Sequence, residues 1–230
     1  MNFIIFKNIK IFIVLTLLFF INFCFFPEII TKLNTKKNLL ALTFDACETK
    51  TASYFDEDIL KYIIENKINA TLFISGKFAK RNSERLKEIS KLNFIEIENH
   101  SLNHYMNMQK LDVATIKTEV LENEKLLQSI IDYKTIFFRF PAGNYDKKTL
   151  DIVESLGYKV VHWAFASGDP DKNVTAEKLE NFVVTKSKPS DVLIFHINGR
   201  GYNTKYALPK IVERLKNKGY SFVKLKEYIN

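Results

Sequence analysis

The chain is poor in sulfur and in histidine, with two cysteines and four histidines among 230 residues. Cys24 sits inside an apolar stretch near the N-terminus, which rules out a disulfide to Cys47 as a staple and leaves Cys47 a free thiol. As a small buried residue that thiol needs no partner, whereas as a nucleophile it would need a base beside it; the first reading is the simpler. No run of Lys and Arg is interleaved with aromatics. The net charge of +8 is spread over helical faces where basic residues alternate with acids, as from Lys80 to Lys91 with Glu84 and Glu88 between. A nucleic-acid partner therefore has no support, although a positive surface favours an anionic envelope or polymer. No internal repeat or low-complexity break divides the chain. What is abundant is apolar: 47% hydrophobic and 13% aromatic residues suit one globular domain with a substantial core.

The N-terminus reads as a targeting element. Lys7 and Lys10 precede Ile11 to Phe26, an uncharged apolar run closed by Pro27 and Glu28. Residues 1–26 are thus a signal peptide or an N-terminal membrane anchor, with 27–38 as a polar linker and 39–230 as the domain. Phe23, Phe25 and Phe26 stand where a cleavage site would want small residues. That favours an uncleaved anchor, lysines inside and domain outside, with cleavage as the alternative.

From residue 39 on, apolar runs of strand length alternate with stretches of helical period. Strands are expected at 39–44, 70–74, 94–97, 137–140, 158–161, 192–195 and 220–225. Helices are expected at 56–67, 83–92, 112–131, 147–156, 176–186 and 208–218, with Ser83 as an N-cap and Gly157 and Gly219 as stops. About seven βα units imply an α/β fold closing as a parallel barrel, whose chemistry gathers at the C-terminal ends of the strands.

His100-Ser101-Leu102-Asn103-His104 follows the third strand. If the chain turns helical there, the two imidazoles share one face and aim at one atom, as a Zn²⁺ site needs. Taken alone, the pair could equally be histidines bonded to a loop's backbone. The barrel rule adds company: Asp45 ends the first strand, Arg139 the fourth, Asp169 follows the fifth and His196 ends the sixth. Singly, Asp45 could cap a helix, Arg139 could pair on the surface and His196 could fill a core. Their coincidence at strand ends is harder to excuse. Asp45 and His196 are some 150 positions apart, so closure of the barrel is expected to bring them together.

In this order the residues resemble the polysaccharide deacetylases of the NodB-homology type, carbohydrate esterase family 4. Leu42-Thr43-Phe44-Asp45 looks like the first motif, His100 to His104 the second, Arg139-Phe140-Pro141-Ala142-Gly143 the third, Trp163 with Asp169 the fourth, and Leu193 to His196 the fifth. The resemblance covers about residues 39 to 228. It implies a distorted (β/α)7-type barrel that removes N-acetyl, less often O-acetyl, groups from sugars. It implies a divalent metal on His100 and His104, zinc first, with cobalt, nickel or manganese as alternatives. It assigns Asp45, Arg139, Asp169 and His196 to catalysis and Pro141, Ala142, Tyr145 and Trp163 to the sugar. The partner it implies is an acetylated glycan, with membrane contact through the N-terminal segment only.

Two departures stand out. The family usually has Asp-Asp after the Phe, the second completing the metal's ligands; here that place is Ala46, followed by Cys47, which resembles an Asp-Ala-Cys subgroup together with Asn198 to Thr204. Either Asp45 itself ligates, or Glu48, Asp169 or water supplies the oxygen, or the metal is held weakly. Pro170 also replaces the usual aromatic of the sugar site.

In the mechanism this constellation implies, the metal polarises the carbonyl and lowers the pKa of water toward about 7. Asp45, held ionised by Arg139, takes the water's proton, and the resemblance implies that a backbone N–H near Ala142 helps the oxyanion. His196, positioned by Asp169, protonates the leaving amine. A glycan-binding relic without turnover, and a hydrolase of non-sugar amides or esters, are the readings from other classes.

A fusion of residues 1–40 to an export-dependent reporter should be active outside the cytoplasm. An inactive reporter with full expression would exclude the targeting role.

Overall fold

The computed structural model describes residues 29–229, so the segment read as signal or anchor lies outside the described residues. Among the described residues, no helix is long and apolar enough to cross a membrane. Seven parallel strands form one curled sheet: β1 (Leu39–Ala46), β2 (Ala70–Ile74), β3 (Ile95–Asn99), β4 (Phe137–Phe138), β5 (Lys159–Val160), β6 (Val192–His196) and β7 (Ser221–Val223). Their order is β5-β4-β3-β2-β1-β6, and β7 pairs with the start of β1. Helices α1 (Glu57–Glu65), α2 (Gly76–Arg81), α3 (Ser83–Ile89), α4 (Val113–Ile131), α5 (Lys147–Ser155), α6 (Ala176–Lys186) and α7 (Thr204–Asn217) cover the outside.

Strand alternation sorts the side chains. Leu40, Leu42, Phe44 and Ala46 of β1, with Leu72 and Ile74 of β2 and Ile95 and Ile97 of β3, pack outward under α1, α4, α6 and α7 in the largest core cluster. Phe138 and Val160 continue this layer under α4 and α5. The alternate residues point inward. Ala41, Phe73, Phe137, Val161 and Val192 fill the interior with Leu33 and Leu225, and the Thr43 hydroxyl donates to the Leu193 carbonyl at 2.5 Å.

β5 and β6 do not pair directly. The chain at 30–33 threads between them: Ile30 bridges to Val161 and Lys32 to Asp191, and Phe165 bridges to Leu193 higher up. The stretch read as the start of a free linker is therefore part of the wall, and Leu33 is buried in the interior. The barrel is closed by irregular chain rather than by a direct β5–β6 pairing, which is the distortion.

Most elements fall where the periodicity puts them. α2 has no counterpart among the expected helices: it begins at Gly76 immediately after β2, and six residues are too few to show a period. α3 is capped at Asn82, with Ser83 its first residue rather than its N-cap. β4 is shorter than expected because Arg139 and Phe140 bend into the turn at Pro141–Gly143. α7 starts four residues early, at Thr204.

The start of α2 is tied to the loop after β3. The Gly76 and Lys77 N–H groups donate to the carbonyls of Ser101 (3.0 Å) and Leu102 (3.1 Å). A Cβ on Gly76 would lie 2.6 Å from Leu102 Cδ1 and 2.9 Å from Asn123 Oδ1. Gly76→Ala should therefore destabilise the domain by about 1–3 kcal/mol, the usual cost of overpacking, read as a lower urea midpoint.

Candidate active site

At the C-terminal rim the first strand delivers Asp45 inward, 5% exposed. Its Oδ1 accepts from Arg139 Nη1 at 2.7 Å, and its Oδ2 lies 3.6 Å from His100 Nε2. Arg139 is fully buried. Its Nε and Nη2 donate to the carbonyls of Val161 (3.1 Å) and His162 (2.9 Å), and its guanidinium lies 3.9 Å from the centre of the Phe73 ring. Burial pushes the Asp45 carboxyl up, but Arg139, with His100 and His196 behind it, prevails and holds it below the usual carboxylate range. Asp45 is thus neither a helix cap, a role that Asp56 fills for α1, nor is Arg139 a surface partner.

His196 is the neighbour of Asp45 in the sheet: β1 and β6 pair in parallel with Asp45 opposite His196. Barrel closure is not what joins them; adjacency does, because β6 runs along one edge of β1 while β2 and β7 share the other. His196 Nδ1 lies 2.9 Å from Asp169 Oδ1, and its own backbone N–H donates to Asp169 Oδ2 at 2.7 Å. Ser167 and Thr204 hydroxyls donate to the same carboxylate at 3.1 and 3.0 Å. Burial opposes a charge on His196, yet the hydrogen bond and charge of Asp169, with Asp45 nearby, raise its pKa above the ordinary value. Its side chain keeps 17% of its surface open to the pocket. Two groups on adjacent strands are therefore pushed apart in pKa, the carboxylate down and the imidazole up.

His100 and His104 come together, though not on a helix. Ser101 and His104 both take left-handed backbone (φ 64° and 56°), and the loop brings the two rings to 4.8 Å between centroids. Polar latches hold it: Ser101 N–H donates to Asn99 Oδ1 (3.0 Å), His104 N–H to Ser101 Oγ (3.1 Å) and Asn103 N–H to Glu119 Oε2 (2.8 Å). His100 Nδ1 lies 2.8 Å from the Arg139 carbonyl and so carries the proton, leaving the lone pair on Nε2 toward Asp45. Burial keeps both imidazoles neutral, His104 down to about 3 with His100 adding to the shift.

The donor chemistry suits a divalent ion. His104 Nδ1 is buried with no partner, His100 offers a fixed lone pair, and Asp45 lies beside it. Among the described residues, however, no three of His, Cys, Asp and Glu are already gathered as a ligand set. Of the oxygens that might replace the carboxylate absent at Ala46, Glu48 is taken by an ion pair with Arg81 and Asp169 by His196. Ala46 itself is in the outer core. Asp45 alone among the three faces His100.

The pocket over these groups, about 240 Å³, is lined by Asp45, His104, His196, Ala142, Trp163 and Asp169, among others. Ala142 and Gly143 turn with φ 55° and 70°, and a Cβ on Gly143 would lie 2.7 Å from the Trp163 ring, so the turn and the indole are in close contact. Of the sugar residues expected, Ala142 and Trp163 line the cavity. Pro141 is buried beside it, and Tyr145, 41% exposed, stacks on Phe140. The cavity also has contributors that sequence reasoning passed over as site residues: Cys47, Met106, the stretch Ala166–Gly168, Ile194 and Arg200. Cys47 is buried as expected, and burial pushes its thiol up to about 11, so it is no ready nucleophile.

A parallel α/β barrel with a buried carboxylate–guanidinium pair, a carboxylate-backed imidazole and two neutral histidines at one rim defines a hydrolase of the carbohydrate esterase type. The chain belongs to the polysaccharide deacetylase family, whose pattern matches residues 32–161. A peptidoglycan-N-acetylglucosamine deacetylase of Bacillus cereus is 28% identical over 195 residues, covering 84% of this chain and 89% of that protein. The solved structure of the Bc1960 peptidoglycan N-acetylglucosamine deacetylase superposes with a TM-score of 0.77 at 27% identity, over 86% of this chain and 91% of that one. A family 4 pseudoenzyme from Bacillus anthracis superposes equally well, with a TM-score of 0.77 over 89% of this chain and 69% of that one, but at 22% identity it speaks to the fold alone.

Arg139→Met would leave Asp45 buried and unpaired, and should cost about 3–5 kcal/mol in chemical denaturation. Adding Asp45→Asn should recover part of that loss, because the buried charge is then gone. A double variant no more stable than the single would show that Arg139 acts only through its bonds to Val161 and His162.

Proposed function

We propose that this chain hydrolyses N-acetyl groups on an envelope glycan, peptidoglycan first and a chitin-like polymer second, on the outer side of the cytoplasmic membrane. O-acetyl groups are a lesser alternative. The observation that carries the reading is the pair on β1 and β6: a carboxyl whose pKa is pushed down opposite an imidazole whose pKa is pushed up, in register on neighbouring strands. Amide hydrolysis needs that combination, since an amine expelled without a proton is a very poor leaving group. The names of the relatives, deacetylases of N-acetylglucosamine and N-acetylmuramic acid in peptidoglycan, support the substrate class.

The acetyl group enters the cavity that Trp163 and Ala142 line with Asp45 and His196. At about 240 Å³ it is smaller than the roughly 300–1,000 Å³ that enclose a whole small ligand, so the glycan stays outside and only the reacting unit enters. Of the other residues assigned to the sugar, neither Pro141 nor Tyr145 lines the cavity. Asp45 takes the proton of the attacking water while Arg139 keeps it ionised and aimed. The Ala142 N–H would face the developing oxyanion. His196, steadied by Asp169, gives its proton to the departing amine, leaving acetate and the free amino sugar. His100 and His104 would hold a divalent metal, which supplies polarisation of the carbonyl and a more acidic water.

A second reading, glycan binding without turnover, draws on Ala46, which removes one carboxylate from the metal's surroundings. Acetate release from acetylated peptidoglycan and chito-oligomers, with and without chelator, separates the two. Turnover abolished by chelator and restored by zinc is expected; binding with no release of acetate would put the relic first, and release from non-sugar amides or esters alone would put the other hydrolase first.

The pH profile should be bell-shaped. The folded pKa of Asp45 is depressed, so activity is present above it and lost as pH falls through it; that of His196 is raised, so activity is lost as pH rises through it. Asp45→Asn and His196→Ala should each lower turnover on the order of 100-fold or more. His196→Ala should keep its metal content, whereas loss of metal in Asp45→Asn would make Asp45 a ligand as well as the base.

A further inference from the structure

One group lining the cavity is unused by the reaction. Arg200 is exposed, and among the described residues it is the only Lys or Arg in the cavity lining. The two carboxylates of the same lining are committed elsewhere, Asp45 to Arg139 and Asp169 to His196. Arg200 takes part in none of the ion pairs among the described residues. Its polar neighbour is the Cys47 thiol, whose hydrogen bond with it does not neutralise the guanidinium.

The chain on both sides of Arg200 is fixed. Asn198 is buried, its amide donating to the Cys47 carbonyl at 2.6 Å and its own carbonyl accepting from Ser53 Oγ at 2.9 Å. Gly201 has no room for a side chain: a Cβ there would lie 2.6 Å from the His196 carbonyl and 2.7 Å from Asp169 Oδ2. Tyr202 N–H donates to the Asp169 carbonyl at 3.2 Å. Gly199, at φ 78°, supplies the turn between these anchors. A rigid, twice-anchored loop thus holds one uncompensated guanidinium at the mouth of the cavity, in the geometry that suits a carboxylate's two oxygens.

We propose that Arg200 is a specificity residue that receives a carboxylate carried by the substrate's reacting sugar unit. This rests on the deacetylase reading and narrows it to acidic N-acetylated amino sugars, with neutral ones as poorer substrates. A substrate with no anionic group would leave the only free cation of the described cavity facing nothing.

The test uses the full chain with two probes that differ by the carboxylate: glycan units ending in N-acetylmuramic acid and the same units with that carboxyl converted to its amide. Binding is measured by calorimetry and turnover by acetate release. The wild type should prefer the acid about tenfold or more in both Kd and KM, a preference that shrinks as salt is raised. Arg200→Gln should bring the acid-to-amide ratio close to one, chiefly through KM, and Arg200→Lys should restore part of it. Inorganic phosphate serves as a third probe; if it competes as well as the acid, the site reads negative charge rather than a carboxylate, and the proposal in this form is overturned. So too if the wild type treats acid and amide alike, or if Arg200→Gln, folded with an unchanged melting temperature, keeps the preference. Absence of acetate from either probe would instead defeat the deacetylase reading, while the calorimetric ratio would still decide the role of Arg200.

Discussion

Everything at the rim depends on one buried arginine. Arg139 reaches β1 through Asp45, the chain after β5 through the Val161 and His162 carbonyls, and the interior through the Phe73 ring. Its backbone is equally engaged: its N–H donates to the Asn99 carbonyl and its own carbonyl meets His100 Nδ1. Taking a guanidinium out of water is costly unless each of its nitrogens finds an acceptor and a counter-charge is close. Both conditions hold here, and meeting them sets the ionisation of Asp45 and, through the carbonyl, the tautomer of His100. Side chain and main chain of one residue thereby govern the Asp45 carboxylate and one of the two imidazoles.

The surroundings of His196 are built on the same plan with less burial. Asp169 sits at the centre of four donors from His196, Ser167 and Thr204, its own carbonyl accepts from the Tyr202 N–H, and Gly201 packs against its carboxylate. Such a carboxylate is an orienting group for the imidazole, which keeps the larger open surface of the two, 17% against 1%. Asp45 and His196 thus have separate supports that meet only across the β1–β6 ladder.

Much of this is legible in the sequence because period 2 and period 3.6 are strong signals in long elements: β2 and α6 fall on the expected residues. Asp45, His100, His104, Arg139, Asp169 and His196 are legible because strand ends concentrate chemistry in a parallel barrel. Short or strained elements are not. α2 has six residues and opens on a glycine, and the loop after β3 uses left-handed backbone at Ser101 and His104, which neither residue type advertises. The adjacency of β1 and β6 is hidden because strand order follows pairing partners, which a periodicity does not encode. Arg200 is the most recoverable omission: an arginine between two glycines, just past a strand ending in histidine, marks a loop whose shape is specified around it.

The position of β1 has a consequence for how the molecule comes into being. Its first strand partner, β2, follows within a short stretch of chain, but β6 and β7 lie in the last fifth of the sequence. Closing so long a loop is slow relative to forming local helices and hairpins. A chain emerging from synthesis would thus hold Asp45 on an unpaired strand edge, next to the empty place of His196, until nearly all of it is available. The reaction centre is then among the last parts of the molecule to assemble, and an incompletely folded chain has no premature activity.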